Sequence, residues 1–125
     1  MPNPTDLKYH ESHTWLKVEA GGIGTVGITG HAQEQLGDVV FVQPPAIGSV
    51  VKQGVACGVI ESVKTAADVH APASGVVIEV NRALEDAPEL VNTDPYAAWL
   101  FRIKLDASSE LATLLDVEAY EKMLS

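Results

Sequence analysis

The chain has 125 residues, of which 46% are hydrophobic and 20% are charged. This composition is close to the average of globular proteins and far from that of disordered or membrane-spanning chains, and the length predicts one domain over residues 1–125. Seventeen acidic against eight basic side chains give a net charge of −9, so we expect a monomer that binds neither nucleic acid nor a membrane surface.

Short β-branched segments separated by glycine and proline dominate the chain and predict a mainly β sandwich or barrel. The predicted strands, in chain order, are residues 14–19, 24–28, 38–43, 55–62, 68–70, 75–80 and 99–105. A helix is predicted over residues 30–36, between an N-cap at Thr29 and a terminating Gly37. An irregular connection with at most one helical turn is predicted over residues 81–98. Two short helices are predicted over residues 110–115 and 117–124, and Asp116 caps the second.

The sequence shows no motif typical of a catalytic site. The four histidines lack the usual spacing of metal ligands, although Glu11, between His10 and His13, leaves a weak candidate metal site. Cys57 lies in an apolar segment, where a thiol usually packs as a small hydrophobic group. There is no phosphate-binding loop and no nucleophile elbow, so we expect a protein that is not an enzyme.

The segment from Glu61 to Gly75 is the most informative part of the chain. An apolar strand runs into a short charged break and a second extended segment follows, which predicts a β-hairpin with Lys64 near its tip. From local physics alone, an exposed turn lysine among six is usually a solubilising charge. The residues around Lys64 decide its interpretation.

These residues resemble the lipoylation hairpin of the glycine cleavage system H protein family. The likeness rests on Glu61-Ser62-Val63-Lys64, on Ala66-Ala67-Asp68 and on the turn at residues 71–75. It continues through Lys8-Tyr9, Ser12-His13 and Trp15, through the block at residues 26–42, and through residues 88–100. Nearly the whole chain is covered in order.

The resemblance implies a lipoyl-domain-like fold, a flattened β-barrel or sandwich (a barrel-sandwich hybrid) with a few short flanking helices. It also implies that Lys64 carries lipoate in amide linkage. Glu61 and Asp68 place carboxylates beside the hairpin tip, where a lipoate ligase or a lipoyl or octanoyl transferase could recognise them. Their alternative role is that of solvated charges at strand ends.

The implied function is that of a carrier. On lipoyl-Lys64 the protein would shuttle the aminomethyl group of glycine from glycine decarboxylase, a pyridoxal-phosphate enzyme, to aminomethyltransferase, and dihydrolipoamide dehydrogenase would reoxidise the arm. The cofactor supplies the chemistry and the protein supplies tethering and orientation. The polar start of the chain predicts a cytoplasmic location, or the mitochondrial matrix if a transit peptide has been removed.

Several residues depart from the family pattern. Thr14 stands where the family usually has a glutamate near the arm-docking cleft, Gly30, Gln35 and Pro44 also differ, and the loop at residues 96–99 is one residue shorter. We expect these changes to cluster around that cleft. They leave two alternatives: a related lipoyl carrier for another system, such as heterodisulfide-reductase-like sulfur oxidation or a lipoate relay, and an unmodified interaction domain.

Overall fold

The computed structural model describes residues 3–106 and 108–124, which form two antiparallel sheets with short flanking helices. The strands are β1 (Lys8–His10), β2 (Thr14–Glu19), β3 (Ile23–Ile28), β4 (Val39–Gln43), β5 (Val50–Val51), β6 (Ala56–Ser62), β7 (Ala66–His70), β8 (Gly75–Val80) and β9 (Phe101–Leu105). The helices are α1 (Gly30–Leu36), α2 (Ala83–Asp86), α3 (Leu90–Thr93) and α4 (Val117–Leu124), with a 3-10 helix at Ser108–Thr113.

The two sheets enclose one main hydrophobic core. The larger sheet has the order β1-β2-β3-β9-β8-β5, and the smaller has the order β4-β6-β7. The strand side chains that face inward are completely buried; they include Leu16, Val26, Ile60 and Ile103. The larger sheet curls into a half-barrel that the smaller sheet covers. The predicted barrel-sandwich architecture with short helices is therefore confirmed.

Most predicted strands agree with the structure, and those at residues 14–19 and 75–80 agree at both ends. The sequence missed β1 and β5, which have three and two residues and carry no alternating pattern. The N-cap predicted at Thr29 is present, because its hydroxyl accepts the N–H of Ala32 at 3.3 Å.

The prediction of at most one helical turn in residues 81–98 is wrong, because both α2 and α3 form there. The side chain of Asn81 accepts the N–H of Ala83 and starts the first turn, and the carbonyl of Pro88 accepts the N–H of Val91 in the second. The helix predicted at residues 110–115 is instead the 3-10 helix, within which the Thr113 hydroxyl donates to the carbonyl of Glu110 at 2.7 Å.

A second, smaller core ties α4 to β1. The rings of Tyr9 and Tyr120 stack with centroids 4.8 Å apart, and both side chains are fully buried. Asp116 caps α4 as predicted, since its carboxylate accepts the N–H of Ala119 at 2.8 Å. This packing holds α4 behind the turn that joins β1 to β2. Within the described residues, no helix is long and apolar enough to cross a membrane.

Candidate functional site

The turn between β6 and β7 is built around Ser62. The N–H and the hydroxyl of Ser62 both donate to the carbonyl of Thr65, at 2.7 and 3.1 Å. The same hydroxyl oxygen accepts the N–H groups of Lys64 at 3.4 Å and of Thr65 at 3.2 Å. These bonds stabilise a turn at residues 63–65 without the Asn-Gly or Asp-Gly pair of the best hairpin loops. The structure thus contains the predicted hairpin, with Lys64 in its turn.

The segment between α1 and β4 holds this turn in place. The N–H of Val63 donates to the carbonyl of Asp38 at 3.0 Å. Asn92, on α3, fixes that segment from the other side: its amide donates to the carbonyl of Gly37 at 2.7 Å and its oxygen accepts the N–H of Val39 at 2.8 Å. The hairpin tip is therefore attached to the body of the protein by backbone and amide hydrogen bonds.

Lys64 itself is exposed, and its side chain passes over Gly37. A Cβ atom at Gly37 would lie 3.4 Å from Cε and 3.7 Å from Nζ of Lys64. Gly37 also has a φ of +78°, which L-residues with side chains rarely adopt. A glycine at this position both ends α1 and leaves space for the lysine amine.

A half-open cleft of about 440 Å³ lies beside the hairpin. Residues 65–69 of the hairpin line it on one side, and α1 with the start of β2 lines it on the other. Ile28, Leu36 and Ile60 contribute apolar surface. Its polar side chains are Ser12, His13, Thr14, His31, Gln35, Thr65 and Asp68. The cleft therefore offers an apolar groove with hydrogen-bonding groups within reach of the hairpin tip.

Two histidines meet in the lining of this cleft. The rings of His13 and His31 have centroids 4.6 Å apart, and Nδ1 of His13 lies 2.8 Å from the hydroxyl of Tyr120. The Tyr120 hydroxyl lies 2.8 Å from that of Thr29 as well. Burial, and then the neighbouring His31, lower the pKa of His13, so its ring is neutral at pH 7. The sequence did not predict this contact, because pairing of β2 with β3 brings distant segments together.

The structure brings together some of the predicted site residues and separates others. Asp68 lines the cleft, whereas Glu61 lies outside it, paired across neighbouring strands with Phe41 and Ala66. Thr14 is fully buried and also contributes to the lining, as does Gln35, so these two departures do cluster there.

The loop at residues 96–99 does not line the cleft, and that expectation is wrong. Tyr96 instead packs behind β2, with its ring centroid 6.3 Å from that of Trp15, and its hydroxyl accepts the N–H of Gly30 at 2.9 Å. Trp99 lies under the guanidinium of Arg102 at 4.2 Å. The shortened loop therefore supports the wall of the cleft from outside.

The remaining candidates have structural explanations. Cys57 is half-buried against the core, burial raises the pKa of its thiol to about 11, and it donates to the carbonyl of Val69 at 3.4 Å. Nδ1 of His10 accepts the N–H of Ser12 at 3.1 Å. In the part of the chain that the structure describes, no three His, Cys, Asp or Glu side chains lie close enough to hold a metal ion.

A two-sheet barrel that presents an exposed lysine on a hairpin, next to a groove of this size, is the arrangement expected of a carrier domain of the lipoyl class. A family model described as glycine cleavage H-protein matches residues 7–125. Glycine cleavage system H proteins of Aeromonas hydrophila and Escherichia coli are each 57% identical over 122 residues, covering 97% of this chain and 95% of theirs. A crystal structure of the H protein of Mycobacterium marinum superposes with a TM-score of 0.88 at 42% identity, covering 98% of both chains.

The chain belongs to the glycine cleavage H-protein family. Its role is that of the lipoyl carrier of the glycine cleavage system. The matches support this role and favour neither the sulfur-oxidation carrier nor the unmodified interaction domain.

Proposed function

We propose that Lys64 is the lipoylated residue. The observation that carries this proposal is the position of Lys64 at an exposed hairpin tip, directly beside the cleft. Its neighbours Ala66 and Ala67 have small side chains, so a modifying enzyme can reach the amine. The cleft, with apolar surface from Ile28 and Ile60, fits an aliphatic arm attached at that point. Bound lipoate would supply a redox-active disulfide on a long flexible tether.

The protein's own residues hold and orient the lipoyl arm. Ser62 and Asn92 fix the base of the arm, and the half-open cleft offers a resting place that is partly shielded from water. The partners are glycine decarboxylase, which loads the aminomethyl group of glycine, aminomethyltransferase, which removes it, and dihydrolipoamide dehydrogenase. The chain catalyses none of these steps. A tethered carrier raises the effective concentration of its cargo at each partner.

Incubation of the lipoylated protein with glycine decarboxylase tests whether the arm carries the aminomethyl group of glycine. We expect label from glycine labelled at its second carbon to appear on the lipoylated protein when the decarboxylase is present, measured by scintillation counting and intact mass. Unmodified protein of the same preparation is the control and should stay unlabelled. Absence of label on protein that is lipoylated by mass would contradict the glycine assignment.

Glu61 and Asp68 are proposed recognition groups for the lipoate ligase or the lipoyl or octanoyl transferase. Both carboxylates are exposed, and charge-assisted hydrogen bonds from a partner's basic residues to them would strengthen binding. The double variant Glu61→Gln with Asp68→Asn should lower kcat/KM for lipoylation by about tenfold, measured from the rate of mass gain. Glu34→Gln, an exposed change on α1, is the matched control. A change of less than about twofold in the double variant would assign both groups as solvated charges.

We further propose that residues 1–125 form one domain that acts as a cytoplasmic monomer. One continuous core receives side chains from both sheets, including Leu16, Ile60 and Val77, which supports a single folding unit. A monomer leaves the hairpin accessible to each of several partners in turn.

A further inference from the structure

The hydroxyl of Tyr120 lies at the centre of a buried hydrogen-bonded chain behind the cleft. It is 2.8 Å from the hydroxyl of Thr29 and 2.8 Å from Nδ1 of His13, although residues 13 and 120 are 107 positions apart in sequence. Tyr120 and Thr29 are both fully buried. Tyr120 therefore connects α4 to a ring that lines the cleft.

The N-cap of α1 is compatible with a chain of donors that runs from Thr29 through Tyr120 to His13. The hydroxyl oxygen of Thr29 accepts the N–H of Ala32 at 3.3 Å, so its own hydrogen is available for the oxygen of Tyr120. Tyr120 then has its hydroxyl hydrogen for Nδ1 of His13. A neutral imidazole that accepts at Nδ1 carries its proton on Nε2.

The backbone of His13 is fixed by separate contacts. Its φ is +69°, a left-handed conformation that is uncommon for residues other than glycine, and its N–H donates to the carbonyl of His10 at 3.0 Å. Its own carbonyl accepts the N–H of Thr29 at 3.1 Å. These bonds set the position of the residue, and the contact with the Tyr120 hydroxyl restrains the rotation of its ring.

We propose that Tyr120 is a positioning residue of the cleft, which fixes the imidazole of His13 in the neutral form that carries its proton on Nε2. The cleft wall then presents an N–H donor, and the arm's sulfur atoms and amide oxygen are acceptors for it. This use of the donor rests on the proposed lipoylation of Lys64, whereas the protonation state of His13 does not. The ionisable groups near the ring are His31 on α1, Tyr120 on α4 and, across the cleft, Asp68 on β7.

Nuclear magnetic resonance of the unmodified protein tests the proposal independently of lipoate. In protein labelled with nitrogen-15, we expect His13 to show a protonated Nε2 and an unprotonated Nδ1 at pH 7.5, with its signals assigned by their loss in His13→Gln. In Tyr120→Phe the two neutral forms should mix, and the titration midpoint of His13 should rise by about half to one pH unit, because the hydrogen bond that stabilised the neutral ring is lost.

Tyr9→Phe is the matched control. Tyr9 stacks on the ring of Tyr120 and is as deeply buried as that residue, but its hydroxyl donates to the carbonyl of Pro4 at 2.6 Å and makes no bond to His13. The control should leave the protonation pattern and midpoint of His13 unchanged, and thermal melts of both variants confirm that each is folded. A proton on Nδ1 in the wild-type protein, an unchanged midpoint in Tyr120→Phe, or an equal shift in Tyr9→Phe would each overturn the proposal.

Discussion

Replacing Lys64 with arginine is expected to abolish lipoylation and, with it, carrier activity. Lys64→Arg keeps the positive charge and most of the length at the exposed tip, but a guanidinium remains protonated and does not form the amide that lipoate attachment requires. Intact mass after incubation with the lipoylating enzyme and lipoate should show no added lipoyl group. The turn should persist, because its bonds come from Ser62 and the backbone.

Lys52→Arg is the matched control for this variant. Lys52 is also exposed, in the turn that follows β5, and the same substitution there should leave lipoylation unchanged. A lipoyl mass increment on Lys64→Arg, or full transfer of label by that variant, would show that another residue carries the arm.

Removing the side chain of Asn92 is expected to loosen the attachment of the hairpin. Asn92→Ala deletes two hydrogen bonds, to the carbonyl of Gly37 and the N–H of Val39, and leaves these partly buried backbone groups unpaired. The cost is about 2 to 3 kcal/mol in the free energy of unfolding, measured by urea denaturation. The amide of Val63, which bonds to the same segment, should exchange faster with solvent.

The neighbouring Thr93 gives a control for that loss. Thr93 is exposed, and its hydroxyl donates only to the carbonyl of Glu89 in the same helical turn, at 3.4 Å. Thr93→Ala should therefore change the free energy of unfolding by less than about 0.5 kcal/mol. Equal destabilisation by the two variants would mean that α3 contributes through its helical structure and not through the amide of Asn92.

The sequence predicted the parts of the fold that depend on local pattern. The strand at Thr14–Glu19 and the strand at Gly75–Val80 could be placed to the residue, since β-branched side chains end there at clear turn signals. The hairpin around Lys64 is predicted from an apolar strand, a short charged break and a second extended segment. The hydrogen bonds of the Ser62 side chain, which stabilise this turn in the absence of an Asn-Gly or Asp-Gly pair, could not be predicted. A serine at a strand end has many possible partners.

The cleft could be predicted only in part, because it is assembled from segments far apart in the chain. Thr14 and Gln35 were expected near it from the resemblance, and both line it. The contact of His13 with His31 and the bond from Tyr120 depend on how β2, α1 and α4 pack, which no spacing of residues reveals. The loop at Tyr96 was misplaced for the same reason, since its ring turns toward Trp15.

The long separation between His13 and Tyr120 also sets an order of assembly during protein synthesis. The β6–β7 hairpin pairs residues that are close in sequence and can begin to form once His70 has left the ribosome. The wall of the cleft cannot be completed until Tyr120, 107 positions after His13, has emerged and packed against Tyr9. A nascent chain can thus display Lys64 before the pocket beside it exists.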